Sequence, residues 1–201
     1  MLRYHDWATR LGAIKCKVLG KPDLARWTDA TRYDDWEERS RLIAQRIRPG
    51  AKVIEFGAGN RLLERHLDPS CTYVPSDLVS RGPGTIVFNL NKRPLPDLTS
   101  CRFDIAVFAG VLEYVSDLRS FTRWLAKQVP VVIASYEVAH AEGGALRRLR
   151  ESVSRLGAGW VNSYSERQLI ALFTRAGLPL KEAVVWHSAD GDEPIFHFSR
   201  G

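Results

Sequence analysis

Short apolar runs alternate with amphipathic stretches along most of this chain. Residues 53–56, 72–74, 85–88, 105–108 and 129–134 are near-continuously apolar and bounded by polar or turn residues, the pattern of strands buried on both faces. A helix is predicted over 34–48, where Trp36, Leu42, Ile43 and Ile47 fall near one face and Pro49-Gly50 stops it. Helical patterns over 61–67 and 117–127 supply the crossovers that parallel strands require. The link at 80–84, Ser-Arg-Gly-Pro-Gly, is too short and too rich in breakers for a helix, so a loop is expected there. Ser165 and Gln168 form a capping-box pair ahead of Leu169, Ile170, Leu172 and Phe173, and Gly177 closes that helix.

Two more strand-like runs, 180–187 and 195–199, flank the turn-rich stretch 189–194 and predict an antiparallel hairpin. The fold class expected is α/β: a doubly wound, Rossmann-like, seven-stranded, mostly parallel sheet ending in that hairpin, with ligands at the carboxyl ends of its strands. No repeat or linker divides the chain, and 201 residues suit one domain. Residues 1–48 are expected to be an N-terminal helical cap, and 49–201 the core with an insertion at 137–164.

Composition adds exclusions. With 45% hydrophobic and 26% charged residues the chain is globular in class, not disordered. The net charge is +6, of which +4 lies in the first fifty residues, where 11 basic face 7 acidic side chains. The signs are mixed, so an anionic partner such as nucleic acid is a secondary expectation. Cys16, Cys71 and Cys101 are odd in number and lack Cys-x-x-Cys spacing, which argues against a disulfide framework and a zinc site. His66, His187 and His197 have no ligand-like acidic neighbours, so structural roles and no metal are expected. No signal-peptide or membrane-span pattern is evident, and a cytoplasmic protein is expected.

The chemistry starts at Glu55-Phe56-Gly57-Ala58-Gly59-Asn60-Arg61, a tight turn after the first strand that lets a ligand approach the backbone. Glu55 selects among cofactors by charge. A carboxylate there opposes a dinucleotide pyrophosphate but suits a ligand carrying an ammonium and a sulfonium, as S-adenosylmethionine does. Asp77, followed by Leu78, ends the second strand 22 residues on, where an acid can accept both hydroxyls of a ribose.

These motifs resemble the class I S-adenosylmethionine-dependent methyltransferases over roughly residues 34–199. Residues 53–59 look like the family's first motif and Asp77 like its ribose-binding acid. The stretch 103–115, Phe-Asp-Ile-Ala-Val-Phe-Ala-Gly-Val-Leu-Glu-Tyr-Val, looks like its fourth-strand motif. Asn162-Ser163-Tyr164-Ser165 and Arg175-Ala176-Gly177-Leu178 are similar to the borders of its late helix. The resemblance implies that Glu55, Gly57, Ala58 and Gly59 meet the methionine part and that Asp77 and Leu78 meet the ribose. It further implies that Asn89 and Leu90 border the adenine and that Ala109, Gly110 and Val111 line the methionyl side. Two residues depart from the pattern: Arg61 stands where a third glycine is frequent, and Asn89 where an acid is common.

Methyl transfer from a sulfonium needs alignment above all, and the cofactor carries the activated carbon. A hydroxyl acceptor also benefits from a base beyond the strand ends. His140, after the fifth strand, is the first choice, since imidazole is largely neutral at pH 7. Tyr136 and Glu137 can bind or polarise the acceptor, and Glu113 and Tyr114 resemble positions that approach substrate in relatives. An amphipathic stretch with Leu146, Leu149, Val153 and Leu156 carries Arg147, Arg148, Arg150 and Arg155 on its other face. Those arginines can cover the site or be solvated. Tyr4, Trp7, Trp27, Tyr33 and Trp36 offer a second wall or simply pack on the sheet.

The leading expectation is therefore a methyltransferase of a small-molecule O- or N-acceptor. The alternatives are a non-catalytic cofactor-binding or interaction protein, and an RNA methyltransferase, which lacks support from Ala109-Gly110-Val111-Leu112 after the fourth strand. An NAD-dependent oxidoreductase is disfavoured by Glu55.

Overall fold

The computed structural model describes residues 36–139, 159–188 and 191–200. Helix α1 (Glu37–Ala44) precedes strand β1 (Lys52–Phe56), a 3-10 turn at Leu63–His66, β2 (Thr72–Asp77) and a two-residue β3 (Ile86–Val87). Then come β4 (Ile105–Ala109), helix α2 (Leu118–Gln128), β5 (Val131–Ser135), helix α3 (Glu166–Arg175), β6 (Leu180–Ser188) and β7 (Gly191–Ser199). The seven strands form one sheet in the order β3-β2-β1-β4-β5-β7-β6. Pairing is parallel from β3 to β5 and antiparallel where β7 joins β5 and β6. This is the doubly wound mixed sheet expected from the sequence.

Alternation along the strands divides the core into two layers. Ile54, Phe56, Ala106, Phe108, Val132 and Ala134 face Leu118, Phe121 and Leu125 of α2 and Leu169 and Phe173 of α3. Val53, Ile105, Val107, Ile133 and Ile195 point the other way, toward Ile43 and Ala44 of α1. Among the described residues no helix is long and apolar enough to cross a membrane.

Local chemistry sets the helix ends. Asp117 caps α2 by accepting from the Ser120 amide at 3.0 Å. The Ser165–Gln168 capping box is present at α3, and Gly177, at φ +91, lets the Leu178 amide return to the Phe173 carbonyl at 3.0 Å.

Four elements differ from expectation. The first helix covers only Glu37–Ala44 of the expected 34–48, whose residues 34 and 35 lie outside the described residues. The expected helix over 61–67 is one 3-10 turn: Arg61 takes a left-handed φ of +56, and only Leu63 of the turn is buried. A helix so short gains little packing to offset its nucleation cost. The third strand shrinks to Ile86–Val87. In the hairpin, much of the expected loop 189–194 belongs to β7, with pairing out to Ser188 and Gly191. Pro194, which reads as a breaker, is accommodated because it forfeits only a donor, while its carbonyl accepts from the Tyr136 amide at 3.2 Å.

Candidate active site

At the carboxyl end of β1 the backbone turns on Gly57 and Gly59, at φ +71 and +51. The Gly57 and Ala58 amides both donate to the Ser76 carbonyl, at 2.7 and 3.1 Å, which ties the turn to β2. A Cβ on Gly57 would overlap the side chain of Val111, so glycine is needed here for close approach as well as for φ. The first-motif turn and the fourth-strand motif are thereby in direct contact.

Asp77 lies at the end of β2, beside this turn. Its Oδ1 accepts from the Leu78 amide at 2.6 Å, and its Oδ2 accepts from the Gly59 amide at 3.0 Å and from Arg81 Nε at 2.9 Å. The carboxylate is fixed in orientation by two backbone donors and one side chain. Asn89 is engaged locally: its side-chain oxygen accepts from the Asn91 amide at 2.8 Å. Leu90 packs against the core layer formed by Ile54 and Phe56. Asn91 in turn bonds the Tyr114 carbonyl at 2.7 Å, so the loop after β3 is joined to the loop after β4.

Glu55 points to the α1 side, buried, accepting from the Tyr73 hydroxyl. Burial drives its carboxyl up from the ordinary 4.5 to about 8, partly opposed by the Tyr73 hydrogen bond and by Arg39 nearby. Burial and the neighbouring Glu55 likewise push the Tyr73 hydroxyl far above its usual range. A pocket is lined by Trp36, Arg39, Glu55, Gly57–Asn60 and Ala109, among others. Within it a buried carboxyl, held largely protonated at neutral pH by its burial, lies near a buried guanidinium; an ammonium beside the carboxyl would favour its ionised form, and the guanidinium is matched in sign to the carboxylate of an amino acid.

Arg39 was not singled out from the sequence. It is 4% exposed, its guanidinium carbon 4.6 Å from the Trp36 ring centre and 5.2 Å from that of Trp186, with Nη1 3.5 Å from Glu193 Oε1. The available signal is its place on the stripe of Trp36, Ile43 and Ile47, where a charged residue is out of character. Arg81 and Glu193 were missed as well; each sits in a stretch that reads as an ordinary turn.

Beyond β4, Glu113 is 2% exposed, and its Oε1 accepts from the Glu137 amide at 2.8 Å while Oε2 is buried without a hydrogen-bond partner. Burial, reinforced by Glu193, raises its carboxyl to about 8. The Ser135 hydroxyl, at the end of β5, is also buried without a partner. Tyr136 lies in the core at 0% exposure; its hydroxyl donates to Asn162 Oδ1 at 2.6 Å and accepts from the Tyr164 amide at 2.9 Å. Asn162 Nδ2 reaches the Leu112 and Val115 carbonyls at 2.7 and 2.9 Å. Tyr136 thus binds the ends of β4 and β5 to the segment entering α3. His140, the arginines of 147–155 and the N-terminal aromatics other than Trp36 lie outside the described residues.

The structure therefore brings Glu55, Gly57, Ala58, Gly59 and Ala109 around one pocket, with Val111 against Gly57 and with Asp77 and Leu78 at its β2 side. Glu113 and Tyr136 lie in a neighbouring layer beyond β4 and β5. Residues 28–183 match a methyltransferase domain. The chain belongs to the methyltransferase domain family.

The chain carries a methyltransferase domain, the class its motifs resembled. No curated protein matches by sequence. Among solved structures, the chain is similar to a candidate O-methyltransferase from Nostoc punctiforme, with 13% identity over 96% of this chain and 68% of that one and a TM-score of 0.67. It is similar also to the Burkholderia thailandensis 1,6-didemethyltoxoflavin-N1-methyltransferase, determined with S-adenosylhomocysteine, at 16% identity, 100% and 91% coverage and a TM-score of 0.62. The 4+2 cyclase SpnF shares the fold at 12% identity, 82% and 80% coverage and a TM-score of 0.61.

Proposed function

We propose that this methyltransferase acts on a small-molecule O- or N-acceptor, with Asp77 accepting from the ribose hydroxyls of S-adenosylmethionine and Glu55 and Arg39 receiving the two ends of its amino acid. The observation that carries this reading is the meeting of Glu55, Arg39 and the Gly57–Gly59 turn in one pocket beside Asp77. The fit is supported by sign and by shape: the amino-acid end is a zwitterion, and the turn has no room for a Cβ at Gly57. Ala109, Gly110 and Val111 border the methionyl side, and Leu78, Asn89 and Leu90 the adenosyl side. When bound, the cofactor supplies a methyl group on a positively charged sulfur, ready for displacement by a nucleophile.

On the acceptor side we place Glu113, whose Oε2 has no partner and whose carboxyl, raised to about 8, becomes a proton acceptor as pH rises toward that value. Tyr136 positions the loop that carries it, and His140 is the second proton acceptor to test. In this reading residues 1–201 are one domain. A small acceptor is favoured by the toxoflavin precursor named for one structural relative. The thiols of Cys71 and Cys101, both free, fit a reducing cytoplasm.

Because a cyclase shares this fold, binding and turnover must be tested separately. Calorimetric titration with S-adenosylmethionine and S-adenosylhomocysteine should give micromolar affinity that is lost in Asp77→Ala. Absence of binding to either ligand would refute the assignment of the pocket. Methyl transfer from labelled cofactor into a panel of hydroxylated and aminated small molecules, with RNA as the competing substrate, then identifies the acceptor class.

A further inference from the structure

Asp77 already has a tenant. Arg81 Nε lies 2.9 Å from Asp77 Oδ2, and the two side chains are only 9% and 7% exposed. A carboxylate offers about four acceptor positions. The amides of Gly59 and Leu78 take two, and both belong to backbone fixed by β1, β2 and the glycine turn. Arg81 takes a third. One position remains, whereas a ribose held by both hydroxyls needs two.

Arg81 is carried by a turn closed on itself. Its amide donates to Thr85 Oγ1 at 3.1 Å, and the Thr85 hydroxyl and amide both return to the Gly82 carbonyl, at 2.8 and 3.3 Å. Gly82 and Gly84 take φ of +109 and +77, which shapes this turn. Two described arginines hold it against the site: Arg81 through Asp77, and Arg61 through its Nη1 to the Pro83 carbonyl at 3.3 Å. Arg61 is itself held rigidly, with a two-point contact to Glu64 at 2.8 and 2.7 Å and its guanidinium 5.6 Å from the Tyr73 ring centre. Arg61, one of the two departures from the family pattern, and the breaker-rich loop after β2 are thus parts of one arrangement.

We propose that Arg81 is an internal competitor for the ribose-binding acid, and that the turn of residues 80–85 is a strap that must release Asp77 before S-adenosylmethionine binds with both hydroxyls. This inference rests on the assignment of Asp77 to the ribose. Arg81 is then a determinant of cofactor affinity that acts on the adenosyl half alone.

The test is titration of the full chain with S-adenosylhomocysteine and adenosine, with 2′,3′-dideoxyadenosine, which has no hydroxyls for Asp77, measured by competition. Arg81→Met should tighten the first two roughly tenfold, the worth of one charge-assisted hydrogen bond, and leave the third unchanged. Arg61→Gly, which suits the left-handed φ and frees the Pro83 carbonyl, should tighten the same two ligands by a smaller factor and guards against a folding defect in the first variant. If Arg81→Met weakens or does not change S-adenosylhomocysteine binding while Asp77→Ala abolishes it, the strap is overturned and the ribose assignment stands. Equal tightening of the dideoxy ligand also overturns it. If neither the wild type nor either variant binds S-adenosylhomocysteine, both fall.

Discussion

Arg39 and Gly110, one from the first described helix and the other from the turn after β4, meet at the pocket: a Cβ placed on Gly110 would lie 3.0 Å from Arg39 Nη1. The guanidinium cannot retreat easily, being between the Trp36 and Trp186 rings.

Gly110→Ala therefore carries two penalties. At φ +70 an alanine costs about 1–2 kcal/mol of stability, and its methyl displaces Arg39. S-adenosylhomocysteine affinity should fall about tenfold or more, whereas 5′-methylthioadenosine, which lacks the amino-acid end, should bind the variant as it binds the wild type. Equal losses for both ligands would remove Arg39 from the amino-acid end.

Buried Glu55 and Glu113 give stability a definite pH dependence. Both are raised from 4.5 to about 8, so between those values the folded state holds protons that the unfolded chain has released. Stability then falls as pH rises through this window, by up to about 1.4 kcal/mol per pH unit for each group, and levels off above it. Glu113→Gln keeps an acceptor for the Glu137 amide and abolishes one titration. Its unfolding free energy should match the wild type near pH 4 and exceed it by pH 8; a constant difference across the range would contradict the raised carboxyl. In turnover assays the same variant should lose the rise in rate toward pH 8.

Tyr136→Phe separates a holding role from a chemical one. The change leaves Asn162 Oδ1 and the Tyr164 amide without their shared partner, at a cost of about 1–3 kcal/mol. Thermal unfolding should register this loss while calorimetry finds S-adenosylhomocysteine affinity within twofold of wild type. A stable variant with abolished turnover would instead place the hydroxyl in the chemistry.

Ser165→Ala removes one half of the box that opens α3 and should lower stability by about 1 kcal/mol in denaturant titration. No effect on cofactor binding is expected, because α3 packs on the opposite face of the sheet from Arg39 and Glu55.

The strands, α2 and α3 were legible in the sequence because their signals are local: unbroken apolar runs, Asp117 ahead of Leu118 and Phe121, and Ser165 three residues before Gln168. The glycine turn, Glu55 and Asp77 were legible because residue type and spacing together carry charge and backbone freedom. Arg39 was not, since its burial depends on Trp186 and Glu193 from the far end of the chain, and an arginine in a short helix otherwise reads as solvated. The pairing of Arg81 with Asp77 was hidden similarly, because an arginine in a breaker-rich loop just past a strand end reads as solvated. The helix expected over 61–67 failed because periodicity says nothing about a left-handed residue at its start.

The order of the sheet has a kinetic side. β7 runs between β5 and β6, with Phe198 stacked on Phe173 at 4.1 Å, so the strand made last among those described is an interior one. Until it inserts, β5 presents an open hydrogen-bonding edge flanked by Val132 and Ile133, and β6 has no neighbour at all. Folding must pass through an interval with that edge uncovered, in which a strand from a second molecule can take the place of β7. The protein is most prone to mispair during refolding, before its own hairpin closes the gap.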